Sequence, residues 1–169
     1  MANVNSPFGL SPIGSITGPF IGLCEVMTTT TGDGTAIGIG DPVLALGTST
    51  TNADGTVTKD VKIAATTDVL EGVVVAVLPD TRDSLVYRAA STVRRLLVCT
   101  DPNTLFVCQE GTGGTALTAN DAGLNISLSI GSPSTTTGKS GATLDNSTEA
   151  TTNTLAIKLI KPYPALDNA

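Results

Sequence analysis

Alternation of apolar and polar positions predicts several strands in this chain. In LNISLSI (124–130) the apolar residues, Ile126 and Leu128 among them, fall on one face and the Asn and Ser residues on the other. TLAIKLI (154–160) alternates in the same way. EGVVVAVLP (71–79) is instead apolar at every strand position, which is typical of a central strand covered on both sides. We therefore expect a β-rich chain with 71–79 in its middle.

A further alternating segment, TVTKDVKIA (56–64), carries a more specific expectation. Val57 and Val61 fall on one face, whereas Thr58 and Asp60 fall on the other. The pattern predicts that the valines face the core and that Thr58 and Asp60 face outward.

Turn signals separate these strands at short intervals, and helix signals are sparse. The motifs GDG, GDP and NADG precede or follow apolar runs, and LLVCTDPNTLFVCQE (96–110) has the form of a hairpin around TDPNT. The one amphipathic piece, ATTDVL (65–70), is too short and too rich in Thr for more than a single turn. Seven or eight short strands at this spacing predict a small all-β sandwich or barrel.

The first 24 residues are apolar yet interrupted every few positions by Gly or Pro. Each proline removes a backbone donor and clashes with the preceding helical turn, so a helix is excluded and an extended ribbon remains. Ordering such a ribbon costs about 1–2 kcal/mol per residue, so it needs a preformed surface. We expect residues 1–24 to be an extended arm lying on another protein. The alternative is that they cover an edge of the chain's own barrel.

Two polar or proline-rich stretches complete the expected organisation. The segment GSPSTTTGKSGATLDNSTEATTN (131–153) is long and polar, which predicts a mobile or functional loop over 132–153 with room for a short strand. KPYPALDNA ends the chain with a second extended piece. The expected divisions are an arm at 1–24, a barrel body at 25–161 and a tail at 162–169.

Amino-acid composition and net charge restrict the classes of partner that the chain is expected to bind. Hydrophobic residues make up 40% of the chain and charged residues 14%, and the mean hydropathy is +0.24, so a lone monomer would expose much apolar surface and we expect a homo-oligomer. The net charge of -6 opposes binding to nucleic acid, which requires many Lys and Arg side chains. No apolar run approaches the roughly 20 residues of a membrane span, and no basic leader precedes Lys59. We expect no membrane partner and synthesis in a cytoplasm.

Residue types needed for most catalysis are missing. The chain has no His, which removes the commonest general base, zinc ligand and partner of a nucleophilic Ser or Cys. The acidic residues lie singly at turns, and GKS (138–140) lacks the spacing of a phosphate loop. We expect no catalytic residues, no metal site and no cofactor; a carboxylate-dependent enzyme is the remote alternative.

Two interpretations are open for the cysteines, and two for the arginines. The three cysteines make no disulfide framework; Cys99 and Cys108 would face each other across the predicted hairpin, or serve as small buried apolar side chains. All four arginines lie within TRDSLVYRAASTVRR (81–95). They would either bind a partner's carboxylates or pair locally with Asp80, Asp83 or Asp101.

The order of several segments resembles the capsid decoration, or cement, proteins of tailed bacteriophages. These segments are NSPFGLSPIGS, GDPV, EGVVVAV, YRAASTVRRLLVCTDPNTLFVCQE, DAGLN and SGATLDNSTEATTNTLAIKL. The resemblance runs from about residue 5 to residue 161 and implies a compact antiparallel β-barrel or jelly-roll-like body without catalysis. It further implies homotrimers or homodimers bound to the major capsid protein on the outside of the virion.

On this resemblance the arm and the arginine stretch would contact the capsid and cement neighbouring subunits. The expected contact residues are Phe8, Leu10, Ile13, Ile16, Phe20, Ile21, Arg82, Arg88, Arg94 and Arg95. The alternative function is a receptor-binding or fibre-base module of a virion, with 132–153 as its recognition loop.

Overall fold

The computed structural model describes residues 5–18 and 22–163, and over this part the regular secondary structure is almost entirely β. A single-turn 3-10 helix at Ala119–Asp121 is capped by Thr118. The strands are β1 (Ser11–Ser15), β2 (Cys24–Thr29), β3 (Pro42–Thr51), β4 (Val57–Ile63), β5 (Gly72–Val77), β6 (Arg95–Cys99), β7 (Thr104–Val107), β8 (Asn125–Ser129), β9 (Thr143–Ala150) and β10 (Ile157–Lys158). The expectation of an all-β fold is confirmed.

Five strands close a barrel in the order β2-β4-β3-β5-β6. Neighbours are antiparallel except β2 and β4, which run parallel where Thr28 and Thr29 pair with Asp60 and Val61. The barrel interior holds the larger apolar cluster, made of Met27, Ile37, Val43, Val61, Val74, Leu96 and Val98. Burying each such side chain stabilises the fold by roughly 1.5–3 kcal/mol.

A second apolar cluster joins the barrel to two smaller sheets, β1-β7 and β10-β8-β9. Leu10, Val73 and Leu128 are its buried members, with Phe106, Cys108, Ile130, Leu144 and Ile157 packed around them. The two clusters explain why β5 is apolar on both faces, since Val74 points into the barrel and Val73 into the second cluster. The prediction that 71–79 contains a strand covered on both sides is confirmed by β5, and Ile126 and Leu128 are buried as expected. Ser127, which was expected on the polar face, is buried as well.

The expected alternation of β4 is wrong at three positions, although Val61 is buried as expected. Thr58 and Asp60 are buried, whereas Val57 is exposed. Asp60 accepts hydrogen bonds of 2.7 Å from the hydroxyls of Thr48 and Thr50 on β3, which satisfy its carboxylate without a cation. Burial of a carboxylate depends on such remote hydroxyls, which an alternating pattern within β4 cannot reveal.

The segment expected as a long loop is largely integrated into the fold. Residues 143–150 form β9, which pairs with β8, and Pro133, Gly138, Ser140, Ala142 and Asn146 are buried. The buried Asn146 amide accepts a hydrogen bond from Gly114 N–H and donates to the Glu110 carboxylate, both at 2.7 Å. The short strand expected within 132–153 is therefore present as β9, and the expectation of a mobile loop is corrected for residues 143–150.

At 96–110 the turn of the expected hairpin forms, but the two strands that flank it do not pair with each other. Asp101 accepts from Asn103 N–H through its side chain, at 2.9 Å, and from Thr104 N–H through its carbonyl, at 3.1 Å. Beyond the turn the two strands separate, because β6 stays in the barrel while β7 pairs with β1. Cys99 therefore stands opposite Cys24 of β2, so the alternative in which Cys99 faces Cys108 across a hairpin is wrong. The other alternative, small buried apolar side chains, describes Cys99, which is buried, and Cys108, which packs against the second cluster.

The N-terminal ribbon lies on the chain's own body over the described residues 5–18. β1 pairs antiparallel with β7, and Leu10 donates its N–H to the carbonyl of Gly40 at 2.9 Å. Gly9, at φ +71°, lies so close to this turn that a Cβ there would stand 2.6 Å from the Gly40 oxygen. The expectation of an arm leaving the body is corrected for these residues, and the edge-cover alternative describes them. Residues 164–169 of the expected tail lie outside the described residues.

The junction between the ribbon, the barrel and the 133–142 segment contains a buried carboxyl group, Asp41. It accepts hydrogen bonds from Gly38 N–H, at 2.7 Å, and from the hydroxyl of Ser140. Burial raises the pKa of Asp41 to about 6, and the two hydrogen bonds offset only part of that rise.

This raised pKa predicts a specific pH dependence. The folded state binds the Asp41 proton more tightly than the unfolded state. The contribution of this proton to the free energy of unfolding is therefore complete below about pH 4, and it is lost as the pH rises to about 6. Asp41→Asn keeps an acceptor for Gly38 and cannot ionise. We expect its free energy of unfolding, relative to wild type, to rise between pH 4 and pH 7 by up to about 3 kcal/mol. Urea unfolding at both pH values measures this, and a constant difference would contradict the assignment.

Candidate interaction surfaces

The arginine stretch runs along the connection from β5 to β6 and ends at Arg95, the first residue of β6. Its four side chains have three different environments. Arg88 is 0% exposed, and its guanidinium lies 3.5 Å from the Asp33 carboxylate. It also donates hydrogen bonds to Thr29 Oγ1 and to the carbonyls of Thr30, Thr35 and Thr92. A side chain enclosed in this way has no surface for a partner, so the expected capsid contact at Arg88 is wrong.

Arg94 and Arg95 pair locally. The Arg94 Nε lies 3.2 Å from the Asp80 carboxylate, and its guanidinium donates to the carbonyl of Leu78 at 2.9 Å. Arg95 lies 3.7 Å from the carboxylate of Asp54 and 4.0 Å from that of Asp80. The local alternative is therefore observed for both, with Asp54 as a partner that sequence reasoning missed. Arg82, by contrast, is exposed.

Around Arg82 the loop carries apolar side chains in contact with solvent. Leu85, Val86 and Val93 are each about half exposed. We call Arg82, Leu85, Val86 and Val93 the loop surface. The three apolar members were missed at the sequence level because they resemble strand residues, and only their isolation between turn residues signals exposure.

The N-terminal ribbon divides its apolar residues between its own core and solvent. Leu10 is 3% exposed and belongs to the second cluster, and Phe8 is half-buried, whereas Ile13 is 49% and Ile16 61% exposed. Ile13 stands where the β1–β7 register shifts between Pro12 and Gly14, a bulge of the kind that redirects side chains. The expected contacts Phe20 and Ile21 lie outside the described residues.

An exposed leucine, not expected from the sequence, joins this region. Leu23 accepts a hydrogen bond from Thr100 N–H at 2.9 Å, and Ile16 donates its N–H to Asn103 O at 3.0 Å. Both residues therefore flank the turn between β6 and β7. We call Ile13, Ile16 and Leu23 the ribbon surface.

The described residues offer little that resembles a small-molecule site. Within residues 5–18 and 22–163, no cluster of three or more Cys, Asp or Glu side chains is arranged to hold a metal ion, and no helix has the length and apolarity to cross a bilayer. A surface depression of about 640 Å³ lies between residues 32–35 and 62–68 and is bordered by Ser129 and Asp145.

Similarity to known proteins adds no further constraint on function: no protein-family model, curated protein or solved structure matches the chain.

Proposed function

We propose that this chain is a non-enzymatic structural protein of a tailed-phage virion, which binds the outside of the capsid and cements neighbouring major capsid subunits. The single observation that carries the proposal is the ribbon surface, where Ile13, Ile16 and Leu23 are exposed while β1 is anchored to β7. The order of sequence segments that resembles decoration proteins supports the same function, and such proteins act as homotrimers or homodimers.

The free energy gained by burying the ribbon surface is enough only for a weak contact, which must be repeated to give firm attachment. Moving a half-exposed aliphatic side chain out of water contributes roughly 1 kcal/mol, so three such residues give weak binding by themselves. Multiplying the contact around a symmetric oligomer raises the effective concentration and converts weak contacts into firm attachment. Anchoring by Leu10 and β7 holds the exposed residues in place before binding, which lowers the entropy lost on association.

The proposal predicts that charges on the ribbon surface abolish attachment without unfolding the chain. In the double variant Ile13→Asp, Ile16→Asp, we expect occupancy on heads that lack the native protein to fall at least about tenfold, because each buried unpaired carboxylate costs more than the ~1.4 kcal/mol of one decade. The thermal midpoint should change by no more than about 3 °C. Quantitative gel analysis of reconstituted heads measures the occupancy.

The matched control is Val69→Asp, since Val69 is 89% exposed but lies in the turn between β4 and β5, outside both surfaces. This variant should decorate heads at wild-type occupancy. Equal occupancy for the double variant and the control would contradict the role of the ribbon surface.

The alternative receptor-binding function depended on a free loop at 132–153. Because β9 and five buried residues occupy that segment, no observation favours this function over cementing. The two remain distinguishable: heads that lack the protein should become fragile if it cements them, whereas intact robustness with failed adsorption to cells would favour receptor binding.

A further inference from the structure

Two of the three cysteines face each other across an antiparallel strand pair. Cys24 at the start of β2 is paired in register with Cys99 at the end of β6. Directly paired residues of antiparallel strands project their side chains to the same face of the sheet. The two thiols therefore lie side by side, although 75 positions separate them in the chain.

The hydrogen bonds around this pair identify which kind of site it occupies. Thr100 N–H donates to Leu23 O, and these two residues form the pair one position before Cys24 and one position after Cys99. Thr29 N–H donates to Arg94 O in the pair five positions along the strands in the other direction; both distances are 2.9 Å. Because hydrogen-bonded and non-hydrogen-bonded pairs alternate, the Cys24–Cys99 pair falls on the non-hydrogen-bonded type. Cα atoms of such pairs stand about 4.5 Å apart, which is within the range that a disulfide spans.

We propose that Cys24 and Cys99 form a redox-responsive pair that closes to an intramolecular disulfide in oxidising surroundings and joins β2 covalently to β6. The dithiol form belongs to reducing surroundings such as a cytoplasm. The disulfide would enclose β3, β4 and β5 within one covalent loop and fix the point at which the N-terminal ribbon enters the barrel.

The exposure of the two thiols indicates which of them reacts first with an oxidant. Cys24 is partly exposed beside the exposed Leu23, whereas Cys99 is buried. Burial raises the pKa of Cys24, and the charge of Cys99 and a hydrogen bond between the two side chains add to the rise, which is consistent with direct contact of the thiols. Burial raises the pKa of the third cysteine, Cys108, to about 12, which leaves almost no thiolate there at neutral pH.

The oxidant is a low-molecular-weight disulfide such as oxidised glutathione. The Cys24 thiolate attacks one sulfur of the oxidant, forms a mixed disulfide and releases one thiolate. The Cys99 thiolate then attacks the Cys24 sulfur, which closes the protein disulfide and releases the second thiolate. The two cysteine protons end on the released thiols, and the two electrons lost by the cysteines reduce the oxidant.

The test is thiol counting and peptide mapping on the full chain after incubation with oxidised glutathione. We expect accessible thiols in denaturant to fall from three to one. Digestion after Lys and Arg leaves Cys99 and Cys108 in one peptide, 96–139, so a second cleavage before Asp101 is needed to separate them. The linked product should join residues 1–32 to residues 96–100.

Variants make each outcome decisive. The Cys108→Ala variant should still lose two thiols on oxidation, whereas the Cys24→Ala variant should lose none. Cys24 is replaced because it is partly exposed, whereas a change at the buried Cys99 could disturb folding. The oxidised wild type should melt about 5–15 °C above its reduced form, with no such difference in Cys24→Ala. Three persistent thiols, a linkage through Cys108 or covalent dimers would each overturn the proposal.

Discussion

Replacement of Arg88 by methionine is expected to lower the free energy of unfolding by about 3–5 kcal/mol. Methionine preserves most of the buried volume, so the loss reports the polar contacts and not a cavity. The carbonyls of Thr30 and Thr35, each 2.6 Å from the guanidinium, would lose their donors, and the Asp33 carboxylate would lose its cation. Urea unfolding measures the change, and the thermal midpoint should fall by about 10 °C.

The matched control for this prediction is Arg82→Met, because Arg82 is exposed in the same loop. It should stay within about 0.5 kcal/mol of wild type. A double change with Asp33→Asn should cost less than the sum of the two single changes, since the carboxylate left alone by Arg88→Met is then neutral. Similar stabilities for Arg88→Met and Arg82→Met would show that Arg88 is not buried in solution.

The second large effect concerns the N-terminal ribbon. Leu10→Ala is expected to destabilise the fold by about 2–5 kcal/mol, because it leaves a cavity against Val73 and Leu128. Ile13→Ala, three residues along and half exposed, should change stability by less than about 0.5 kcal/mol. Equal midpoints in urea for the two variants would contradict the packing of the ribbon on its own chain.

The same packing changes what a truncation should do. An arm that leaves the body could be deleted without harm to the fold, whereas deletion of residues 1–22 removes Leu10 and the partner strand of β7. We therefore expect the deletion to expose the second cluster and to lower the free energy of unfolding by at least as much as Leu10→Ala. Tests of capsid binding are for this reason better made with substitutions at Ile13 and Ile16 than with truncated chains.

The ribbon thus combines two functions that its sequence alone does not separate. One set of its residues is buried in the body, and another set is exposed on a backbone held by β7. The entropy of ordering this backbone is lost during folding, so the exposed isoleucines would already be in position when the proposed partner binds. A firmly attached ribbon with an apolar outer side supports the proposed cementing function as well as a free arm would.

The amino-acid sequence by itself determined the β class of the fold, a strand within 71–79 that is covered on both sides, and the burial of Ile126 and Leu128. These follow from side-chain period and β-branched composition, which are local properties. The tertiary structure alone decided that Leu10 is buried while Ile13 is exposed, that Arg88 and Asp60 lie inside, and that Cys99 faces Cys24. Each of these depends on groups far apart in the chain: Arg88 is buried because Thr30 and Thr35 supply acceptors more than 50 positions away, and Cys99 meets Cys24 because β6 pairs with β2. No local pattern encodes which remote strand covers a face or satisfies a buried charge.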